Sequence, residues 1–206
     1  MRESENDTNN LNQTENKNNI PYREAVGSLL HLATTTRPDI IYAVNILSRH
    51  QINPTEEDWI MVKRVFRYLK GTKTLELRYL GETNDIQAFS GASFVDCKNS
   101  LTTSGFLIKL YGDPIAWKTH KQSYVALSTC QAEYVAMSET SQELLSLYDS
   151  LKTILKETLT PMILWCDNKA AGIGAETNGG NKLRHIIEIK EHHIKECVKR
   201  NLIKIR

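Results

Sequence analysis

Residues 102–139 read TTSGFLIKLYGDPIAWKTHKQSYVALSTCQAEYVAMSE, and this stretch decides the fold that the sequence predicts. Its first part contains two apolar runs, Gly105 to Leu110 and Ile115 to Trp117. Between them stands Gly112-Asp113-Pro114, a combination of residues that is typical of turns. The two runs therefore predict two strands joined by a turn.

The second part of this stretch predicts a long helix. Ser128 and Gln131 have the spacing of a capping box, in which side chains satisfy free backbone N–H groups at a helix start. The helix is expected to continue to about Leu155. Further strands are predicted at Leu75 to Tyr79, Ile86 to Ser90, Met162 to Cys166 and Leu202 to Ile205. Further helices are predicted from Asn168 and from Ile186 to Val198, with a loop at Asn178-Gly179-Gly180. This order of strands and helices favours a mixed α/β layered structure.

The chain divides into three predicted segments. Residues 1–19 are rich in Asn, Glu, Thr and Asp, so they cannot bury enough apolar surface to offset their ordering entropy. They are expected to be a disordered leader. Residues 20–72 are expected to form a small helical unit, and residues 73–206 the mixed α/β domain.

Three helices are predicted in the small helical unit. Pro21 is well suited to the first position of a helix, and Pro38 begins the second one. Thr55 and Asp58 resemble a capping box, and Gly71 ends the third helix. The third helix carries an apolar stripe of Trp59, Val62, Phe66 and Leu69.

Composition excludes several classes of protein. The net charge of +2 and the hydrophobic fraction of 40% are ordinary for a globular protein. The four cysteines form no C-x-x-C pair, which argues against a zinc site and suits a reducing compartment. The start is polar and unlike a signal peptide, and no apolar run approaches the ~20 residues of a membrane span. We therefore expect an intracellular protein without a membrane partner.

Three acidic residues occupy positions that suit catalysis. Glu133 lies in the first turns of the long helix, Asp167 follows an apolar strand, and Glu188 lies near the start of the last helix. Cleavage of a phosphodiester by two Mg²⁺ ions needs carboxylates from several elements, because the ions lie about 3.5–4 Å apart. Each position also has an ordinary explanation. The helix dipole favours Glu133, Asp167 could cap a helix, and Glu188 lies on a charged helix face.

Two groups of basic side chains are candidates for contacts with nucleic acid. Arg64 and Arg67 lie on the outward side of the third predicted helix. Lys118, His120 and Lys121 lie in a predicted loop that precedes the long helix. In nucleic-acid-binding proteins, basic side chains commonly contact the phosphate groups, but the basic faces of most helices only contact solvent.

Several long motifs resemble the Pol polyprotein of copia-type LTR retrotransposons. Residues 21–50, PYREAVGSLLHLATTTRPDIIYAVNILSRH, resemble the C-terminal, thumb-side part of its reverse transcriptase, as does VKRVFRYLKGT at 62–72. Residues 102–139 resemble the RNase H domain that follows. The match continues with LWCDNKAA at 164–171 and LRHIIEIKEHHIKE at 183–196. The polymerase motif with its paired aspartates is not in this chain.

The resemblance implies site residues one by one. The family's Ala-Glu-Tyr motif matches Glu133, and its Cys-Asp-Asn motif matches Asp167. The family's first strand ends in Ser-Asp-Ala, whose Asp is a metal ligand, whereas this chain has Gly91 at that position. The family's His-Ile-Asp-Ile motif matches the segment around Glu188 with one extra residue, so this match is the weaker one.

The resemblance implies an RNase H-like α/β fold: a mixed five-stranded sheet with flanking helices, preceded by the helical segment. It implies cleavage of RNA in RNA–DNA hybrids that depends on Mg²⁺ or Mn²⁺, with Glu133 and Asp167 as metal ligands. Gly91 offers no ligand atom, so weak or absent activity is expected and the ion need not be bound.

Two alternatives stand beside this interpretation. The chain could be a catalytically inactive, nucleic-acid-binding remnant of a transposable element. It could also be another nuclease of the same fold, such as an integrase, but the thumb-like segment argues against this. The expected partners are an RNA–DNA hybrid or other nucleic acid and the remainder of the Pol polyprotein. The expected location is the cytoplasm, retrotransposon particles or the nucleus.

Overall fold

The computed structural model of the chain describes residues 20–94, 101–123, 125–155, 159–167 and 181–206, without the side chains of residues 155 and 181–188. The chain divides into two compact units, Met1–Leu75 and Glu76–Arg206, called here the helical unit and the sheet unit. Three predicted features lie outside the described residues: the leader at 1–19, the helix from Asn168 and the loop at 178–180.

The helical unit contains helices α1 (Tyr22–Thr35), α2 (Ile41–Ser48) and α3 (Glu56–Gly71), with a short 3-10 helix at Pro38–Ile40 before α2. The predicted capping box is confirmed. Thr55 Oγ1 accepts from the N–H of Asp58 at 3.2 Å, and the Asp58 carboxylate accepts from the N–H of Thr55 at 2.8 Å. These bonds satisfy donors that a helix start otherwise leaves unpaired.

The core of the helical unit is formed by one face of each helix. Its buried members include Tyr22, Val26, Leu29, Val44, Leu47 and Val62. The predicted apolar stripe on α3 was wrong at Phe66, which is 40% exposed, while Val65 packs against the core instead. The two side chains point in directions 100° apart on the helix, so a small rotation of α3 decides which of them is buried.

The sheet unit contains strands β1 (Ile86–Ser93), β2 (Thr103–Leu110), β3 (Asp113–Lys121), β4 (Met162–Cys166) and β5 (Ile203–Ile205), with helices α4 (Thr129–Leu155) and α5 (Asn181–Lys199). The strand order is β3-β2-β1-β4-β5. Strands β1 to β3 are antiparallel neighbours, whereas β4 runs parallel to both β1 and β5. The expected RNase H-like class, a mixed five-stranded sheet with flanking helices, is confirmed.

One face of the sheet forms the core with α4 and α5. Alternate residues of the central strands point to this face, as the twofold period of a strand requires. The buried members of this core include Ile86, Ala88, Ile108, Met137, Leu144, Met162, Leu164, Ile194 and Ile203. None of the helices within the described residues is long and apolar enough to cross a membrane.

Aromatic and basic side chains occupy the opposite face of the central strands. The rings of Phe89 and Trp165 stack with their centroids 6.2 Å apart. Lys109 lies over the ring of Phe89, and Arg206 lies over the ring of Trp165. Cations over aromatic rings stabilise such exposed contacts modestly.

The prediction of a strand at Leu75 to Tyr79 was wrong, because this segment pairs with no strand in the part of the chain that the structure describes. Leu75 and Tyr79 are 51% and 60% exposed, so the alternating pattern buries neither. The segment that follows is held by a side chain instead: the Asp113 carboxylate accepts from the N–H groups of Leu80 and Gly81 at 2.7 and 2.8 Å. Alternation alone does not form a strand without a neighbour to share its hydrogen bonds.

Candidate metal centre

The carboxyl ends of β1 and β4 lie side by side at the middle of the sheet. The parallel pairing of these strands places Ser90 opposite Cys166. Gly91 and Asp167 each follow one residue later, beyond the paired stretch. Ser90 Oγ also donates a hydrogen bond of 3.3 Å to the carbonyl of Trp165, which links the ends of the two strands. The two positions that the family resemblance assigns to metal ligands are therefore neighbours.

Glu133 reaches the same place from the first turns of α4. Glu133 is only 6% exposed. The N–H of Ala92 donates to Glu133 Oε1 at 3.0 Å, and the thiol of Cys166 lies 3.9 Å from Oε2. Because the pairing of β1 with β4 ends at Ser90, the N–H of Ala92 is available to a side chain.

Glu133, Cys166 and Asp167 form a cluster of potential metal ligands. One ligand atom of each lies within 4.8 Å of those of the other two. Two oxygens that share one Mg²⁺ lie at most about 4.2 Å apart, since each bond is about 2.1 Å long. The two carboxylates, whose ligand atoms lie within 4.8 Å of each other, are therefore suitably placed for one hard divalent cation, whereas the thiol suits softer metals.

Among the side chains that the structure describes, this cluster contains two carboxylates. The family resemblance assigns a third to the position of Gly91, where the chain supplies only a hydrogen atom. A Cβ atom built on Gly91 meets no other atom within 4 Å. The position is open, so the missing ligand reflects the residue type and not a lack of space.

The Glu133 carboxyl has a raised pKa in this cluster. Burial raises the pKa of Glu133, the hydrogen bond from Ala92 opposes that rise, and the nearby charge of Asp167 adds to it, so that the pKa is raised overall. A cation beside the two carboxylates would reverse this effect, because opposite charge favours the ionised form.

A comparison with known proteins places the chain in a family. The retrovirus-related Pol polyprotein from transposon TNT 1-94 of Nicotiana tabacum is 33% identical over 191 residues, which are 90% of this chain and 14% of the polyprotein. This chain belongs to the copia-type retrotransposon Pol polyprotein family. It spans about 14% of the length of that Pol relative.

Other similarities of this Pol-family chain are shorter or structural. Secreted RxLR effector protein 161 of Plasmopara viticola is 40% identical over 127 residues, which are 61% of this chain and 89% of the effector. The solved structure of LC11-RNase H1, isolated from compost, is similar with a TM-score of 0.43 and 14% identity. That similarity covers 60% of this chain and 84% of the RNase H1 chain. No protein family model matches the chain.

The structure brings together some predicted site residues of this Pol-family chain and leaves others apart. Glu133 and Asp167 meet, and Gly91 lies beside them. Glu188 lies within α5, but its side chain is outside the described residues, so its role stays a prediction. Cys166 was not predicted as part of the site, although its place beside Asp167 in the Cys-Asp-Asn motif was a usable signal.

Three predicted basic residues lie elsewhere than expected. Lys118, His120 and Lys121 belong to strand β3 and not to a loop, because β3 pairs with β2 as far as Lys121. Lys118 lies 3.9 Å from the carboxylate of Glu143, and His120 Nε2 lies 3.0 Å from that of Glu139. These acidic partners reduce the charge that Lys118 and His120 can offer to a phosphate.

Glu139 forms a small polar network that the sequence did not indicate. Its carboxylate contacts His120 and, at 3.3 Å, Lys190 of α5. Burial raises the pKa of Glu139, but the hydrogen bond from His120 and the charge of Lys190 outweigh it, so that the pKa is lowered. The network therefore links β3, α4 and α5 beside the core.

The other two predicted basic residues, Arg64 and Arg67, are exposed on α3 of the helical unit.

The raised pKa of Glu133 predicts a pH-dependent effect of Glu133→Gln. The folded state holds a proton on Glu133 more tightly than the unfolded state does. The free energy of unfolding therefore falls as pH rises from the ordinary pKa of a glutamate, which applies to the unfolded chain, through the raised pKa of the folded chain. Without divalent metal, the glutamine variant should therefore be more stable than the original at pH 8, with a Tm that is higher by a few degrees. The advantage should disappear at pH 4.

Thermal unfolding at both pH values checks this prediction. Glu143→Gln is the matched control, because the Glu143 side chain is 50% exposed and pairs only loosely with Lys118. It should change Tm little at either pH. An equal advantage of Glu133→Gln at pH 4 and pH 8 would contradict the prediction.

Proposed function

We propose that the sheet unit is the RNase H-like domain of a Pol protein, and that its ancestral reaction is metal-dependent cleavage of RNA in RNA–DNA hybrids. Gly91 at the position of the first catalytic aspartate impairs that reaction. One observation carries the proposal: Glu133 and Asp167 meet beside the open position of Gly91 at the ends of adjacent strands. The assignment of residues 20–72 to the reverse transcriptase C-terminal segment belongs to the same proposal.

Each residue has a defined part in this reaction. A bound Mg²⁺ or Mn²⁺ ion would activate water and stabilise charge on the phosphate oxygens. Glu133 and Asp167 would hold the ion through their carboxylates. The N–H of Ala92 orients Glu133. Glu188 is a further, weaker candidate that stays a prediction.

Charge explains why the substitution at Gly91 impairs the reaction. Two divalent ions bring four positive charges into one cleft, and Glu133 and Asp167 supply only two negative ones. Without a carboxylate at position 91, the residues that would hold the ions supply less of the negative charge that would stabilise them. Losing about 3 kcal/mol of transition-state stabilisation slows a reaction by more than a hundredfold, at about 1.36 kcal/mol for each factor of ten.

A cleavage assay tests the proposed function. The full chain is incubated with a labelled RNA–DNA hybrid in Mg²⁺ and, separately, in Mn²⁺, and cleavage products are measured. We expect cleavage near the background. Robust cleavage that Asp167→Asn abolishes would overturn the claim of impairment. The alternative function is binding of nucleic acid without catalysis, by a remnant of a transposable element.

The proposed partners follow from the family. They are an RNA–DNA hybrid or other nucleic acid and the remainder of the Pol polyprotein, in an intracellular setting. The basic side chains proposed to contact phosphate are Arg64, Arg67, Lys118, His120 and Lys121. Those of Arg64, Arg67, Lys118 and Lys121 are exposed, and that of His120 is partly buried.

Binding of the hybrid is expected to survive the loss of catalysis, because basic side chains and not the carboxylates contact phosphate. Affinity should fall steeply as salt rises. Replacing both Arg64 and Arg67 by alanine should lower the slope of log K against log salt by about two, one for each lost phosphate contact. Fluorescence anisotropy of a labelled hybrid at several salt concentrations measures this slope.

Arg78→Ala is the matched control for this prediction. Arg78 is exposed, is paired with Glu76 at 2.7 Å and is not among the proposed phosphate contacts, so its loss should change the slope little. Binding that does not depend on salt, or no binding at low salt, would contradict the prediction.

A further inference from the structure

Gln122 is a buried polar residue that the proposed reaction does not use. It follows β3 directly and is 1% exposed. Its side-chain amide donates to Ser104 Oγ at 2.7 Å and to the carbonyl of Ala132 at 3.0 Å. Its backbone N–H donates to the carbonyl of Thr102 at 2.8 Å.

Burying this amide is costly. Gln122 Oε1 is buried and has no hydrogen-bond partner among the described residues. An unpaired buried acceptor loses its hydration without replacement, which costs about 1–3 kcal/mol. An apolar residue of similar volume would avoid that cost, so the bonds made by the amide nitrogen need a separate explanation.

The bonds of Gln122 close a ring of contacts around Glu133. Ala132, whose carbonyl accepts from Gln122, directly precedes Glu133 in α4. Ser104 is the strand partner of Ala92. The N–H of Ala92 in turn donates to the Glu133 carboxylate. Gln122 therefore links the start of α4, which carries Glu133, to β2. The partner strand β1 supplies the N–H of Ala92 that binds the Glu133 carboxylate.

We infer that Gln122 is a positioning residue, which fixes α4 against β2 so that the Glu133 carboxylate meets the N–H of Ala92 and lies beside Asp167. The inference rests on the proposed function in so far as it concerns metal binding. Groups that orient metal ligands from behind commonly change metal affinity by about 10–100-fold when they are replaced. Gln122 acts on Glu133 through Ala132 and Ala92 and contacts no ligand atom itself.

The experiment compares three variants of the full chain: Gln122→Met, Ser104→Ala and Thr140→Val. Methionine keeps a similar volume and removes the donor. Thr140→Val is the matched control, because it removes a buried hydroxyl that donates to Ala136 in the same helix at 2.6 Å. It should lower Tm without changing the ring of contacts around Glu133.

The first readout needs no metal. Hydrogen exchange of the Ala92 amide reports directly on its bond to Glu133. We expect Gln122→Met to speed this exchange by at least about tenfold relative to neighbouring β1 amides, because the group that fixes the carboxylate is lost. Thr140→Val should leave the ratio unchanged. An unchanged ratio in Gln122→Met would overturn the inference.

The second readout is the affinity for Mn²⁺, measured by electron paramagnetic resonance. For this measurement each of the three changes is combined with Gly91→Asp, and Gly91→Asp alone is the reference. Gln122→Met should weaken Mn²⁺ binding by about tenfold, and Thr140→Val should leave it unchanged. If Gly91→Asp itself binds no Mn²⁺, the proposed role of Gly91 in impairing the metal site fails, and the Ala92 exchange alone decides the inference. If Gln122→Met does not fold, Ser104→Ala decides it by the same readouts with a smaller expected change.

Discussion

Gly91→Asp is expected to give the chain measurable RNase H activity, with hybrid cleavage at least about a hundredfold above that of the original chain. Gly91 follows the residue that pairs with Cys166, so a side chain there is next to Asp167. An added Cβ meets no atom within 4 Å, so the carboxylate can be accommodated without displacing a neighbour. The new charge would complete the set of carboxylates that two divalent ions need.

The measurement is cleavage of a labelled hybrid in Mg²⁺ and in Mn²⁺. Gly91→Asn is the matched control, since it has the same shape without the charge and should stay inactive. Gly91→Asp combined with Asp167→Asn should lose the restored activity. A folded Gly91→Asp chain without cleavage would show that the site has decayed beyond this one residue.

The second large effect is expected on stability. Leu164→Ala should destabilise the sheet unit by about 2–5 kcal/mol, because it leaves a cavity in a close-packed core. Leu164 is fully buried and lies on β4, between Ala88 of β1 and Ile205 of β5. For a unit of this size the loss corresponds to roughly 4–20 °C in Tm.

Ile163→Ala is the control for Leu164→Ala. Ile163 precedes Leu164 on the same strand and points to the opposite face of the sheet, where it is only partly buried. Its loss should cost less than half as much. Thermal unfolding of both variants compares the two faces directly, and equal losses would contradict the assignment of the core to the face covered by α4 and α5.

Local sequence signals predicted most elements of the fold. The capping box at Thr55 appears as expected, and so does the strand that ends at Cys166. At the start of α4 the box is only half formed: the N–H of Gln131 donates to Ser128 Oγ, but the Gln131 side chain accepts from Leu127 and not from Ser128. Caps and apolar runs are predictable because they depend on neighbours in sequence.

The errors concern features that depend on distant residues. Leu75 to Tyr79 has the alternation of a strand, but no strand among the described residues lies beside it, which the sequence pattern cannot reveal. Lys118 to Lys121 was expected in a loop before the long helix, yet β2 provides strand partners for all of these residues. In each case the backbone hydrogen bonds of a remote segment decide the structure.

The candidate site was predictable only in part. Resemblance to the family indicated Glu133 and Asp167, and their proximity agrees with that expectation. The bond from the Ala92 N–H and the ring of contacts through Gln122 were not predictable, because they involve a backbone group and a residue type without chemistry of its own. Such contacts appear only when the register of β1 and β2 is known.

The parallel pairing of β1 with β4 also affects how the chain can fold. Ser90 and Trp165, which are joined by a hydrogen bond across these strands, are 75 positions apart in the sequence. Closing so long a loop lowers the entropy of the chain before the favourable contacts between β1 and β4 can form. Folding slows as the sequence separation of contacts grows. On a ribosome the candidate site cannot assemble until β4 has emerged. The β2–β3 hairpin and α4 depend on nearby residues and can form earlier, so the metal ligands are expected to come together late in folding.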